Sequence, residues 1–253
     1  MNNILHVKGF TSAALLILSS CIAITAVAAD TSSSVLHQQT APATLSARQQ
    51  AIPLIAAFMA SSNMEKLDQA LNQGLDAGLT VNESKEILVQ LYAYTGFPRS
   101  LNALTVLMKV TEARKQRGIT DIQGKEPVRP VPVGEELRQL GIANQTKISG
   151  APVQGPLFEF APVINQFLQT HLFGDIFARD NLDWQSRELA TLGALAATPG
   201  VETQLLSHIR ASLRVGLSKD QLNQLVQLLR NNGEDSAAAR TENALSKVTG
   251  SKK

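Results

Sequence analysis

Two stretches decide the fold: QLLSHIRASLRVGLSKDQLNQLV at residues 204–226 and KLDQALNQGLDAGLTVNESKEILV at residues 66–89. Leu67, Leu71 and Leu75 recur at four-residue spacing, which builds one apolar stripe on a helix. Gly78 and Gly216 follow the stripes and can end a helix in the left-handed conformation. Thr80 with Glu83, and Ser218 with Gln221, then read as capping boxes that satisfy the first free N–H groups of a following helix. A single offset of 138 takes Gly216 to Gly78, Leu217 to Leu79, Ser218 to Thr80, Gln221 to Glu83, Leu213 to Leu75 and Leu205 to Leu67. It also takes Leu192 to Leu54 and Ala194 to Ala56. Shared stops, caps and stripes predict an internal duplication.

Outward from these stretches the helical period continues. Residues 46–61 predict a first helix that Pro53 starts or kinks. Pro98 suits the first turn of another helix over 99–114, and residues 181–198 predict a helix that the Pro199–Gly200 pair stops. Residues 158–180 predict one or two extra helices, and 234–248 a last one. No strand pattern of useful length occurs, so the expected fold is all-α with paired helices in each half. The expected divisions are a first repeat at 45–118, a Pro/Gly-rich connection of little periodicity at 119–157, and a second repeat at 158–250.

The chain has 253 residues, 44% of them hydrophobic, enough to bury a sizeable core. A net charge of +2 and 4% aromatic residues argue against a nucleic-acid surface. Lys8, the apolar run from Ala13 to Val27 and the small residues after it predict an export signal over 1–29, cleaved after Ala28 or Ala29. The expected location is periplasmic or secreted, with no stable membrane span. A lipobox-like LSSC at 18–21 offers the alternative of a lipid anchor on Cys21, the one cysteine of the chain. Residues 30–44 predict a polar tether that carries His37.

His208 is the first candidate for chemistry. It shares a helical face with Leu205, Ile209 and Ser212, so the plain alternative is a neutral core histidine held by one hydrogen bond. The matching residue in the first copy is Ala70, so the architecture does not require an imidazole. Antiparallel pairing across Pro199–Gly200 would bring Glu188 to His208, where a carboxylate orients the ring and raises its basicity. The alternative for Arg187 and Glu188 is an ordinary first-turn surface pair. His171 and Asp175 are one turn apart, but no compact metal signature such as HExxH exists, and no metal site is predicted. Tyr92, Tyr94 and Arg99 either line a pocket between the copies or form a helix corner.

The stretches ALNQGLDAGLTVNESKEILVQLYAYTGFPRSLNA at 70–103 and SRELATLGALAATPGVETQLLSHIRASLRVGLSKDQLNQLVQLL at 186–229 resemble the carboxymuconolactone decarboxylase family, which includes the AhpD-like alkylhydroperoxidases. The resemblance implies an all-α bundle that assembles as an oligomer, most simply a trimer of the tandem chain. Decarboxylase members act on a small lactone acid; AhpD-like members reduce disulfides or peroxides with a Cys-x-x-Cys followed by histidine. The family histidine falls on His208 and the relay glutamate near Glu188. The two redox cysteines fall on Val201 and Gln204, which supply no thiol, so a peroxiredoxin-like label would lack its nucleophile. The resemblance thus implies a cofactor-free acid–base site with His208 and Glu188. Arg187, Arg210, Tyr94, Arg99 and His171 are candidates to bind a small-molecule substrate. A non-catalytic ligand-binding or structural protein on the same fold is the alternative.

Overall fold

The computed structural model describes residues 44–250, and these residues are helical without a strand. The expected export signal, Cys21 and nearly all of the expected tether lie outside the described residues. Among the described residues no helix is long and apolar enough to cross a membrane.

Two helices that are buried on every side over most of their length make the centre. In α1 (Ala47–Ala60) the ten residues from Ala51 to Ala60 are all buried, and in α9 (Trp184–Ala197) the eleven from Ser186 to Ala196 are. A helix buried all round belongs in the middle of a bundle rather than on its face. The two pack on each other closely because Gly193 lacks a side chain: a Cβ there would lie 2.2 Å from the Pro53 carbonyl oxygen. Pro53 is thus an interior residue of α1 rather than its start.

Amphipathic helices form the outer layer. In the first half these are α2 (Met64–Asp76), α3 (Val81–Gln90), the single turn α4 (Tyr92–Thr95) and α5 (Phe97–Gln116). Both predicted capping boxes are present. The Glu83 N–H donates to Thr80 Oγ1 at 3.2 Å, and the Gln221 N–H donates to Ser218 Oγ at 3.1 Å. Gly78 and Gly216 adopt φ of 95° and 100°, where a side chain would be strained. In the second half α10 (Glu202–Arg214), α11 (Lys219–Asn231) and α12 (Asp235–Thr249) follow α9.

The segment between the halves differs from the sequence expectation. Within 119–157, read as a connection of little periodicity, residues Gly134–Ser149 form the sixteen-residue helix α6. Its buried line is only Gly141, Gln145 and Ile148, with one large apolar side chain, so its hydrophobic period is faint. End signals carry it instead: Glu135 and Glu136 in the first turn, Lys147 in the last, and Gly150 in the left-handed region at φ 84°. After α7 (Pro156–Phe160) and α8 (Pro162–Phe167) comes a π-helix, Leu168–Ile176. It crosses α6 at Gly141, where a Cβ would overlap the Gln169 carbonyl, and Asn144 Nδ2 donates to the Phe173 carbonyl at 2.8 Å. A second small core of Ile148, Leu172, Phe173, Ile176 and Phe177 closes on Ala211 of α10. The connection is therefore a packed wall against the second half.

Candidate functional site

Asp183 caps α9 by accepting the Ser186 N–H at 2.8 Å, which fixes the register of the next turn. That turn carries Arg187 and Glu188, both fully buried. Helix α10 returns antiparallel across residues 198–201, with Gly200 at φ 84°. The return brings His208 Nδ1 to 2.8 Å from Glu188 Oε2. The His208 side chain keeps 15% exposure, whereas that of Glu188 has none. An ionised carboxylate accepts only, so with Glu188 ionised it is the His208 Nδ1–H that donates. The other ring nitrogen, Nε2, has no hydrogen-bond partner among the described residues. The pairing expected from the sequence is present.

Tyr94 of α4 packs edge-on against His208, with ring centroids 5.6 Å apart. The residue as a whole is half-buried, but its hydroxyl is buried and lacks a hydrogen-bond partner of normal geometry. Burial, then the charge of Glu188, hold the phenol pKa above its ordinary value. The Thr191 hydroxyl pulls the other way by less, being already committed to the Arg187 carbonyl and the Gln90 amide. Tyr94 therefore stays neutral and adds no second negative charge beside Glu188. Glu188 Oε1 and Ser212 Oγ are also buried without partners, so the polar cluster is not saturated from within the chain.

Of these groups Tyr94 and His208 border a cavity of about 660 Å³. Tyr94 comes to it from the first half, and His208, Arg210 and Arg214 from α10. Much of the remaining wall comes from residues 145–173, including Ile148, Phe158, Leu172 and Phe173. Neither Arg210 nor Arg214 makes an ion pair or a hydrogen bond among the described residues, and no carboxylate lines the cavity. Arg214 escaped the sequence reading. Its signal was its place one turn after Arg210, on the same face.

The other expected site residues lie elsewhere. Arg187 does not reach the cavity. Its guanidinium donates to Glu86 Oε1 at 2.9 Å, Gln90 Oε1 at 3.0 Å and the Arg179 carbonyl at 2.9 Å. Burial lowers its pKa, against the opposing charge of Glu86. Burial alone would raise the pKa of Glu86, but hydrogen bonds from Arg179, Arg187 and Asn181 and the Arg187 charge more than offset it, and the carboxyl sits below its ordinary value. Glu86 was not foreseen, because a lone glutamate in an amphipathic helix looks exposed. Arg99 donates to Ser62 and to the Thr95 carbonyl, away from the cavity. His171 pairs with Asp175 at 2.7 Å on the surface, near Tyr92, which stacks on Phe97. Glu202, in the first turn of α10, accepts the Gly200 N–H at 3.1 Å, a structural role.

Helices α8 to α12, with the Glu188–His208 pair on two of them, are the part of the chain that a known family shares. Residues 162–246 match the carboxymuconolactone decarboxylase family. This carboxymuconolactone decarboxylase match spans about a third of the chain and contains Glu188, His208, Arg210 and Arg214, while Tyr94 and the α6 wall fall outside it. No curated protein matches the chain.

Proposed function

We propose that the cavity is a cofactor-free acid–base site acting on a small carboxylic or lactone acid, in the manner of a decarboxylase. The observation that carries this is the 2.8 Å pair of His208 Nδ1 with a fully buried carboxylate, which leaves Nε2 to exchange a proton at the cavity. In a decarboxylation the bond between the substrate carbon and its carboxylate breaks. Carbon dioxide leaves, the electron pair stays on carbon, and the imidazolium Nε2–H delivers the proton there. Solvent then restores the proton to His208, and Glu188 holds the ring throughout. Val201 and Gln204 stand on the cavity wall where redox cysteines would be needed, so thiol exchange has no nucleophile at this place.

We also propose that the two halves are tandem copies. Helices α10, α11 and α12 begin 138 positions after α2, α3 and α5 (64 and 202, 81 and 219, 97 and 235), which supports the reading. For the central pair the spacing is 137. Ser46 and Asp183 are caps that each accept from the residue three positions on, and α1 and α9 also end 137 apart. A one-residue insertion at the Pro199–Gly200 turn accounts for the change, and it replaces the sequence pairing of Leu192 with Leu54 by Ile55. On this register Glu188 falls on Ala51 and His208 on Ala70, so the first copy has alanine at both positions.

The test is carbon dioxide release from a panel of small lactone and carboxylic acids. Wild type should turn over at least one, and His208→Gln should lose about 10²–10⁴-fold, the usual share of a general acid or base. A wild type that releases none, or a His208→Gln variant as active as wild type, refutes the proposal.

A further inference from the structure

The apolar wall and the two unpaired arginines do not suit a compact, multiply charged acid equally well at every point. Arg210 and Arg214 lie one turn apart on α10, so their side chains emerge on one side of the cavity. The guanidinium of the exposed Arg214 lies against Gly150, where a Cβ would come within 2.4 Å of Nε. The C-terminal cap of α6 thus borders this cation without giving it a carboxylate. The apolar part of the lining includes Ile148, Leu168, Leu172, Phe173 and Leu195. Phe158 extends this wall on α7, and its neighbours Leu157 and Phe160 carry apolar surface outward to solvent. Beyond Arg210, Arg214 and His208 no cationic side chain lines the cavity, so a second anionic group on the apolar stretch would find only neutral partners.

We infer that the site takes an amphipathic monocarboxylate, its carboxylate clamped by Arg210 and Arg214 and its apolar body of several methylene or ring carbons lying against the wall built by residues 148–173. The inference rests on the proposal that this cavity is the active site, but it concerns which acid enters. It also makes residues 148–173, which run from the segment between the halves into the start of the second half, a part that selects the substrate, and Arg214 a further binding residue.

The experiment is calorimetric titration of the described chain within the full-length protein with butanoate, hexanoate, octanoate, decanoate and the dianion butanedioate. Each buried methylene multiplies affinity by about three- to fourfold, so decanoate should bind more than about tenfold tighter than hexanoate, and butanedioate weakest. Arg210→Gln with Arg214→Gln should weaken decanoate by at least about tenfold, since charge-assisted hydrogen bonds are the strong ones. Phe158→Ser should flatten the chain-length series with little change for butanoate. A flat series, or butanedioate binding more tightly than decanoate, overturns the inference even if a small acid is turned over. A rising series with no acid turned over leaves this inference standing and sinks the proposed reaction instead. Because His208→Gln keeps both arginines and the wall, it should keep the rising series; loss of the series in that variant also counts against the clamp.

Discussion

Replacing His208 by alanine should unfold the protein more easily, for a reason that lies in Glu188. The Glu188 carboxylate is fully buried, one oxygen bonded to His208 and the other without a partner. Removing the imidazole therefore leaves a buried charge with no hydrogen bond at all. Breaking a buried pair from one side costs several kcal/mol, and the 15% exposure of His208 lets some water relieve it, so a loss of about 3 kcal/mol is expected. For a chain of this size that is a fall in Tm of roughly 6–12 °C. The proposed duplication supplies the control. Where the second half has Glu188 and His208, the first has Ala51 and Ala70, both buried and well packed. The double variant Glu188→Ala with His208→Ala copies that arrangement and removes the stranded charge with its partner. It should recover more than about 1.5 kcal/mol relative to His208→Ala alone, a strong positive coupling in the cycle. Urea unfolding of wild type, both single variants and the double gives the four free energies. A His208→Ala loss under about 1 kcal/mol, or two single losses that simply add, would refute the reasoning.

Two further outcomes follow from the packing. The lowered pKa of Glu86 means that its pairing with Arg179 and Arg187 stabilises the fold fully above the ordinary carboxylate value of 4.5 and loses that contribution as pH falls from there through the folded value. Glu86→Gln should flatten the acid limb of a stability-versus-pH curve, and parallel curves for variant and wild type would show that the pair carries none of it. Gly193→Ala would gain about 1 kcal/mol in an exposed helix, but here its Cβ meets the Pro53 carbonyl of the opposing central helix; a net loss of about 2 kcal/mol is expected, and a stabilised variant in urea unfolding would contradict the packing of α1 on α9.

Local signals in the sequence were enough for much of the fold. The boxes at Thr80 and Ser218, and the stops at Gly78 and Gly216, act within a few residues, so their chemistry is visible without tertiary knowledge. The same holds for His208 and Glu188, because an antiparallel turn of known length fixes which residues of its two helices can meet. What stayed hidden depends on partners far along the chain. Helix α6 buries almost no large apolar residue and closes on the π-helix through glycine instead, so periodicity missed it. Arg187 and Glu86 lie 101 positions apart. Nothing near Arg187 in sequence says that its charge is consumed by Glu86 rather than offered to a ligand.

The proposed site sits where, on the proposed duplication, the second half departs from the first. Offsets, caps and stops link the two halves, and at the two positions that matter the first half has alanine. On the proposed duplication the polar pair is an addition to a frame that packs without it, and a buried carboxylate with a free oxygen is a standing cost to the fold. Beside α10 the intervening segment forms a wall, with Ile148 against Ala211 and the Gly150 cap against Arg214. A plain core histidine would not need a free nitrogen at a cavity. The convergence of that nitrogen, Arg210 and Arg214 on one cavity, beside the apolar part of residues 145–173, is what the proposed site for an anionic ligand calls for.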